Sequence, residues 1–225
     1  MNKYFKIALS CFCIYVLISC SSIRFPENEY NIFTGKSEWT ATEKQCCYIA
    51  ISNLPSADST YIVFKKTKIK SMGQAQPMIR TILRNRQERI YIISVRDKKV
   101  NPNLCFGTIP DSAKIGLVGH EIVHVIDFKS KSLPEIILMG IKYNFCPKYK
   151  RNVEWITDSL TIANNMGYEN LCFSNYIYNS PFVSKKYLKK KKKYYMTPDD
   201  MRNIIYTLSL LRKEQDTMPD NQILR

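Results

Sequence analysis

Both histidines of the chain fall in one five-residue stretch, His120-Glu121-Ile122-Val123-His124. Side chains four apart on a helix share a face, so this H-E-x-x-H spacing can bring two imidazoles to one metal ion. Glu121 lies beside them, where it can take a proton from a metal-bound water. The chemistry that suits these residues is hydrolysis with one bound Zn2+. The competing reading is an amphipathic helix with two ordinary histidines. The run Ala113–Ile126 argues against it: it is apolar nearly all round and reads as a buried central helix. Burying two histidines and a glutamate there is costly unless a cation compensates. Asp111, with Pro110 before it, is the expected N-cap. Gly119 is expected to admit a neighbouring element at close range.

Zinc catalysis needs three protein ligands and an open position. With no third histidine, the third ligand is a carboxylate or, as a second choice, a cysteine. The segment Val153–Leu160 is the best source, because Glu154 and Asp158 are four apart on an expected helix. Glu154 can coordinate the metal. Asp158 can accept a hydrogen bond from a ligand histidine's other ring nitrogen and fix its tautomer. Two exposed acids on a helix are the plainer alternative, and Asp127, Glu135 and Glu169 are fallback ligands. No C-x-x-C occurs, so a cysteine-based zinc site is not expected.

H-E-x-x-H at 120–124 followed by Glu154-x-x-x-Asp158 resembles the pattern of the gluzincins, a branch of the zincin metallopeptidases. The resemblance covers roughly Ile79 to Gly167. It implies zinc held by His120, His124 and Glu154, with Glu121 as the catalytic base and Asp158 behind the ligands. It also implies a strand near the site that pairs with extended substrate, and a histidine or tyrosine that stabilises the oxyanion. No histidine remains for that role, so Tyr143, Tyr176, Tyr178 and Arg151 are the candidates. The metzincin pattern, another zincin branch, fails: Asp127 and Ser130 stand where it has glycine and histidine.

Other elements must position these residues. Glu38–Asn53 reads as a helix with Ala41, Ile49, Ala50 and one of Cys46 and Cys47 inward. Tyr61–Lys66 reads as a strand. Ile79–Arg84 and Arg89–Val95 read as a hairpin, with a helix over 78–87 as the competitor. After the histidine helix come a short apolar helix, Pro134–Tyr143, and a basic loop, Lys148–Arg151. A helix then runs from about Asn152 to Met166, with Gly167 as its C′ residue. Thr197-Pro198-Asp199-Asp200 opens a last helix that runs to about Glu214. The order predicts an α+β, zincin-like domain, with a small antiparallel or mixed sheet packed on the histidine helix and further helices C-terminal.

The two ends point outside the fold. Lys3 and Lys6 precede the apolar run Ile7–Ser19, which is too short to span a bilayer comfortably and reads as a signal peptide. Leu17-Ile18-Ser19-Cys20 resembles the lipobox of bacterial lipoproteins, which implies cleavage after residue 19 and lipid on Cys20. Residues 20–31 then form a tether, 32–214 one domain, and 215–225 a loose tail. Of the mature cysteines, Cys46 and Cys47 would pair only with strain. Pairing among Cys105, Cys146 and Cys172 stays open.

The net charge is +15 in 225 residues, much of it from the run Lys185–Lys193. A solvated loop or helix end is the plain reading of that run. The functional one is contact with an anionic envelope surface, since an exported protein rarely meets nucleic acid. These observations converge on a lipid-anchored, exported zinc metallopeptidase cutting peptides or proteins in the cell envelope, its zinc-bound water activated by Glu121. The alternative is a catalytically weak zincin-fold lipoprotein that acts as a binding or scaffold module through the lysine run.

Overall fold

Alternation of side chains gives the two long strands their faces. In the computed structural model, which describes residues 29–35 and 37–217, Tyr61–Thr67 forms β2 and Ile90–Arg96 forms β4. Ile62 and Phe64 of β2, with Tyr91, Ile93 and Val95 of β4, enter the main core. Val63 and Ile90 cover the opposite face with Met78. The shorter strands are β1, Asn31–Gly35, and β3, Gly73–Pro77. Among the described residues the sheet order is β1-β2-β4-β3, with parallel pairing except at β3–β4. The domain is therefore α+β with a small mixed sheet. Its first strand begins at Asn31, inside the expected tether.

The helices are α1, Ala41–Ser52; α2, Asp111–Ser130; α3, Leu133–Phe145; α4, Pro147–Thr161; α5, Gly167–Asn179; α6, Lys185–Tyr194; and α7, Pro198–Thr217. Helix α2 is the central one. Ala113, Leu117, Val118, Ile122, Val123 and Val125 all join the core that also holds the sheet, α1 and α5. Its N-cap is Pro110, with Asp111 the first helical residue. Helix α1 starts at a capping box made by Thr40 and Glu43. Both Cys46 and Cys47 are buried there, whereas Ala41 is exposed. Glu43 also meets Lys66 at 2.6 Å, a buried pair that ties α1 to β2.

Further expectations are corrected. The expected hairpin from Ile79 does not form: Ile79–Thr81 is a 3-10 turn, and β3 upstream pairs with β4 instead. The chain leaves the ladder after Met78, whose N–H donates to Ile90 O at 2.8 Å. Thr81 Oγ1 then accepts from Ile90 N at 3.0 Å, which caps the turn. The basic segment Lys148–Arg151 is not a loop but the first turn of α4, opened by Pro147. Gly167 is not a C′ residue. Asn165, at φ 63°, takes the left-handed position within a π turn, Ile162–Met166, and Gly167 begins α5. Gly167 is small for another reason: a Cβ there would lie 2.9 Å from Ile205 Cγ1 of α7. That last helix also continues past its expected end at Glu214, to Thr217.

Small residues set how closely α2 is approached. A Cβ on Gly116 would lie 2.1 Å from the Glu169 carbonyl of α5, and one on Gly119 would lie 2.3 Å from Met166 Cε. The close approach expected at Gly119 is thus present. The tighter one, backbone against helix, is at Gly116. Substituting Gly116→Ala should lower the unfolding free energy by about 1–3 kcal/mol through overpacking. Gly140→Ala, in α3 with open space around it, should raise it by about 0.5–1 kcal/mol. Urea unfolding of the two variants measures both signs.

Candidate metal centre

Helix α2 presents His120, Glu121 and His124 on the side that faces α4 and β3, and all three are buried. Helix α4 crosses them and supplies Glu154, Thr157 and Asp158, buried as well. Ligand atoms of His120, His124 and Glu154 lie within 4.8 Å of one another, and this group can hold a metal ion. The imidazoles meet edge to face, with ring centroids 4.9 Å apart. His120 Nε2 lies 3.2 Å from Glu154 Oε2, and His124 Nε2 lies 3.5 Å from the same oxygen.

The far nitrogens are held from behind. His120 Nδ1 donates to Asp158 Oδ1 at 2.9 Å. Asp158 also accepts from Asn170 Nδ2 of α5 and from the Met196 N–H, each at 3.2 Å. Thr157 donates its hydroxyl to Val153 O, so its oxygen is free to accept from His124 Nδ1 at 3.3 Å. Both histidines therefore turn Nε2 towards Glu154. The second support, Thr157, is a residue that sequence reasoning missed. Its only signal was its place one turn after Val153 and next to Asp158.

The electrostatics fit a cation. Burial alone would lower His120, but the charge and hydrogen bond of Asp158, then those of Glu154, outweigh it and raise the imidazole to about 10. Burial would raise Glu154, yet hydrogen bonds from His120 and His124 hold it well below the usual carboxylate range. Burial raises Glu121 above its ordinary value against the lowering influence of both histidines. Without a metal, a proton on His120 provides the positive charge that two buried carboxylates require. A metal ion can replace it, and two imidazoles with one carboxylate are an ordinary donor set for such an ion.

The centre opens into a cleft of about 320 Å³. Glu121 lines it, and so do Gly73, Gln74 and Ala75 of β3, the sheet's outer strand on that side. A Cβ on Gly73 would lie 2.5 Å from Glu121 Oε1, so the glycine leaves room for the acid. Tyr143 of α3 also lines the cleft, and its hydroxyl donates to Glu154 Oε1. So does Tyr195, just past α6, whose ring centroid is 5.9 Å from that of His120.

The remaining candidates separate clearly. Tyr176 packs against the core, Arg151 is exposed over the Trp155 ring, and Tyr178 lies behind His120 away from the cleft. Asp127 pairs with Lys131, Glu135 caps α3 through Ser132, and Glu169 sits where α5 meets Gly116; none joins the metal group. Tyr195 carries no signal in the sequence because it follows closely on the lysine run, whose composition suits solvent or an anionic surface. That run is helix α6. Its Lys190 lines the cleft, and its half-buried Lys191 stands 3.4 Å over the Tyr195 ring. Cys46, Cys47, Cys105, Cys146 and Cys172 are all free thiols. Cys20, the signal segment and all of the tether before Glu29 lie outside the described residues, as does the tail from 218. No helix among the described residues is long and apolar enough to cross a membrane.

No protein-family model, curated protein or solved structure matches this chain. Its chemistry is read from its own residues.

Metal uptake should be linked to protons. A metal ion held by this group would displace the His120 proton, so its affinity should rise about tenfold per pH unit for each proton displaced, levelling as pH passes about 10. The metal-free protein carries the opposite sign. His120's contribution to stability is full below the ordinary histidine value of 6.5 and is lost as pH rises through about 10. Asp158→Asn should weaken metal binding about 10–100-fold. Calorimetric titrations in buffers of different ionisation enthalpy measure the proton release, and competition with a chelator measures the affinity.

Proposed function

We propose that this chain is a zinc-dependent metallopeptidase of the gluzincin kind, hydrolysing peptide bonds in the cell envelope. The observation that carries the reading is the convergence of His120, His124 and Glu154 on one point, with Glu121 in the same open cleft. Two imidazoles and a carboxylate are a common catalytic zinc set that leaves a position free. Zinc bound there would act as a Lewis acid and lower the pKa of water towards about 7.

The chain's own groups supply the rest. Glu121 takes a proton from the attacking water at its carboxylate and delivers it to the leaving amine. Its raised pKa suits this exchange, since it brings the acid nearer to neutrality. The outer edge of β3 offers backbone donors and acceptors to an extended peptide lying beside Glu121. Tyr143 and Tyr195 are the tyrosines on the cleft wall. Burial and, next, Glu154 push both above the ordinary tyrosine value, so both stay protonated; Tyr143 gives its one proton to Glu154, which leaves Tyr195 as the donor for a carbonyl oxygen that gains charge. Tyr143 also orients Glu154.

A lipid on Cys20 would hold the domain at the envelope surface. The exposed lysines of α6, Lys185, Lys186, Lys189, Lys192 and Lys193, would favour an anionic one.

Glu121→Gln should cut turnover about 10²–10⁴-fold while zinc content stays near one equivalent. The measurement is a peptide-library cleavage assay of the full chain with and without chelator, beside metal analysis. Chelation should abolish cleavage and zinc should restore it. Undiminished cleavage by the zinc-loaded Glu121→Gln variant would remove Glu121 from this role, and zinc binding without any cleavage would remove the peptidase reading.

A further inference from the structure

The cleft carries two charges that the metal chemistry does not use. Its charged lining residues are His120, Glu121, His124, Glu154, Lys150 and Lys190. The first four belong to the metal group and its base. The remaining two are ammonium groups brought from different helices, Lys150 from α4 and Lys190 from α6. Neither makes an ion pair with a described residue, and no acid lines the cleft apart from Glu121 and Glu154.

Lys150 is half-buried and stacked rather than free in solvent. Its Nζ lies 4.0 Å from the Tyr143 ring centroid and 5.3 Å from that of Tyr194. Aromatic faces hold a cation in place without neutralising it. The stack keeps the ammonium at the wall beside Tyr143, whose hydroxyl reaches the proposed ligand Glu154. Burial lowers Lys150 and the neighbouring charge of Lys190 lowers it further, with Glu154 opposing. Two like charges thus line one partly desolvated cleft and repel each other, and a bound anion would relieve that repulsion. Their neighbours Lys185, Lys186 and Lys189 are exposed and do not line the cleft, so they add only to the general field.

We propose that Lys150 and Lys190 form a carboxylate-binding subsite of the cleft, so that the preferred substrate is a peptide carrying a negative charge close to the bond presented at the metal centre. This rests on the peptidase reading and adds the substrate class to it. The carboxylate can be an acidic side chain or the C-terminal carboxylate of a peptide. Both are planar anions that accept from two ammonium groups at once.

The test uses the zinc-loaded full chain and three alanine-rich nonapeptides. One has blocked ends and a single Glu, the second has Gln in its place, and the third is the Gln peptide with a free C-terminal carboxylate. Cleavage is read as kcat/KM. Binding of the fluorescein-labelled peptides to the Glu121→Gln protein is read by anisotropy. The Glu peptide should exceed the blocked Gln peptide by about tenfold, and the ratio should collapse towards one in Lys150→Met and in Lys190→Met. Lys190 is exposed, so its variant folds even if the buried stem of Lys150 proves necessary for packing. Lys190→Glu should invert the preference towards a peptide carrying Lys. Lys189→Met, one residue away and outside the cleft, should leave the ratio as it is.

A preference for the free-acid Gln peptide would assign the subsite to a C-terminal carboxylate. Equal handling of all three peptides by the unmodified chain would overturn the proposal. So would Lys150 and Lys190 variants that keep the Glu-to-Gln ratio but lose binding to phosphatidylglycerol vesicles, because these lysines would then serve a membrane surface. Charge-selective binding to the Glu121→Gln protein with no cleavage by the unmodified chain would retain the subsite and remove the peptidase reading.

Discussion

The hydrogen bond from His120 to Asp158 joins the two helices on which everything else in the cleft depends. Asp158 is a buried carboxylate, and a charge in that position is tolerable only if donors surround it. It has them from three directions: the imidazole of α2, the Asn170 amide of α5 and the Met196 N–H between α6 and α7. Satisfying one acid therefore brings four parts of the chain to one point. The same bond orients the His120 ring, so that Nε2 faces Glu154 and the open side rather than the core.

The centre is under electrostatic demand from both sides. Glu154 and Asp158 flank His120, and together they hold a positive charge on a buried group that burial alone would neutralise. A site that binds a proton this firmly is one where a metal ion has a ready place and a competitor. Glu121 experiences the same burial without a hydrogen-bonding partner, and burial raises it above the ordinary carboxylate value where Glu154 is held below it. Division of labour among three acids within one buried site thus follows from what each one touches.

Helix α6 shows how a composition signal can hide local roles. Read as a string, Lys185–Lys193 is a block of charge suited to solvent or an anionic surface, and several of its ammonium groups do face outward. Folded, the same helix closes one side of the site. Lys191 covers Tyr195, the Tyr187 hydroxyl accepts from the Met72 N–H at 3.3 Å, and Lys190 turns to the cleft. One helical turn separates residues with quite different surroundings, which no average over the run can reveal.

The metal group was legible because it rests on local geometry. A four-residue spacing on a helix puts two side chains on one face whatever surrounds them, so His120 with His124, and Glu154 with Asp158, could be paired from the chain alone. Burial of α2 and the existence of strands at β2 and β4 followed from apolar pattern and composition in the same way. Strand β3 was not legible. Gly-Gln-Ala-Gln-Pro has almost no apolar content, and it is a strand only because β4 lies beside it. Helix α5 was hidden behind Gly167, a glycine that reads as a helix end but serves contact with Ile205. Tyr195 and Lys190 reach the cleft through packing of α6 against α4. By itself, then, the sequence determined which residues could form a metal centre and that they would lie on a buried helix. Only the tertiary structure decided the cleft walls, the support from Thr157 and the ammonium pair, because these are meetings between distant segments that depend on close approach and not on spacing along the chain.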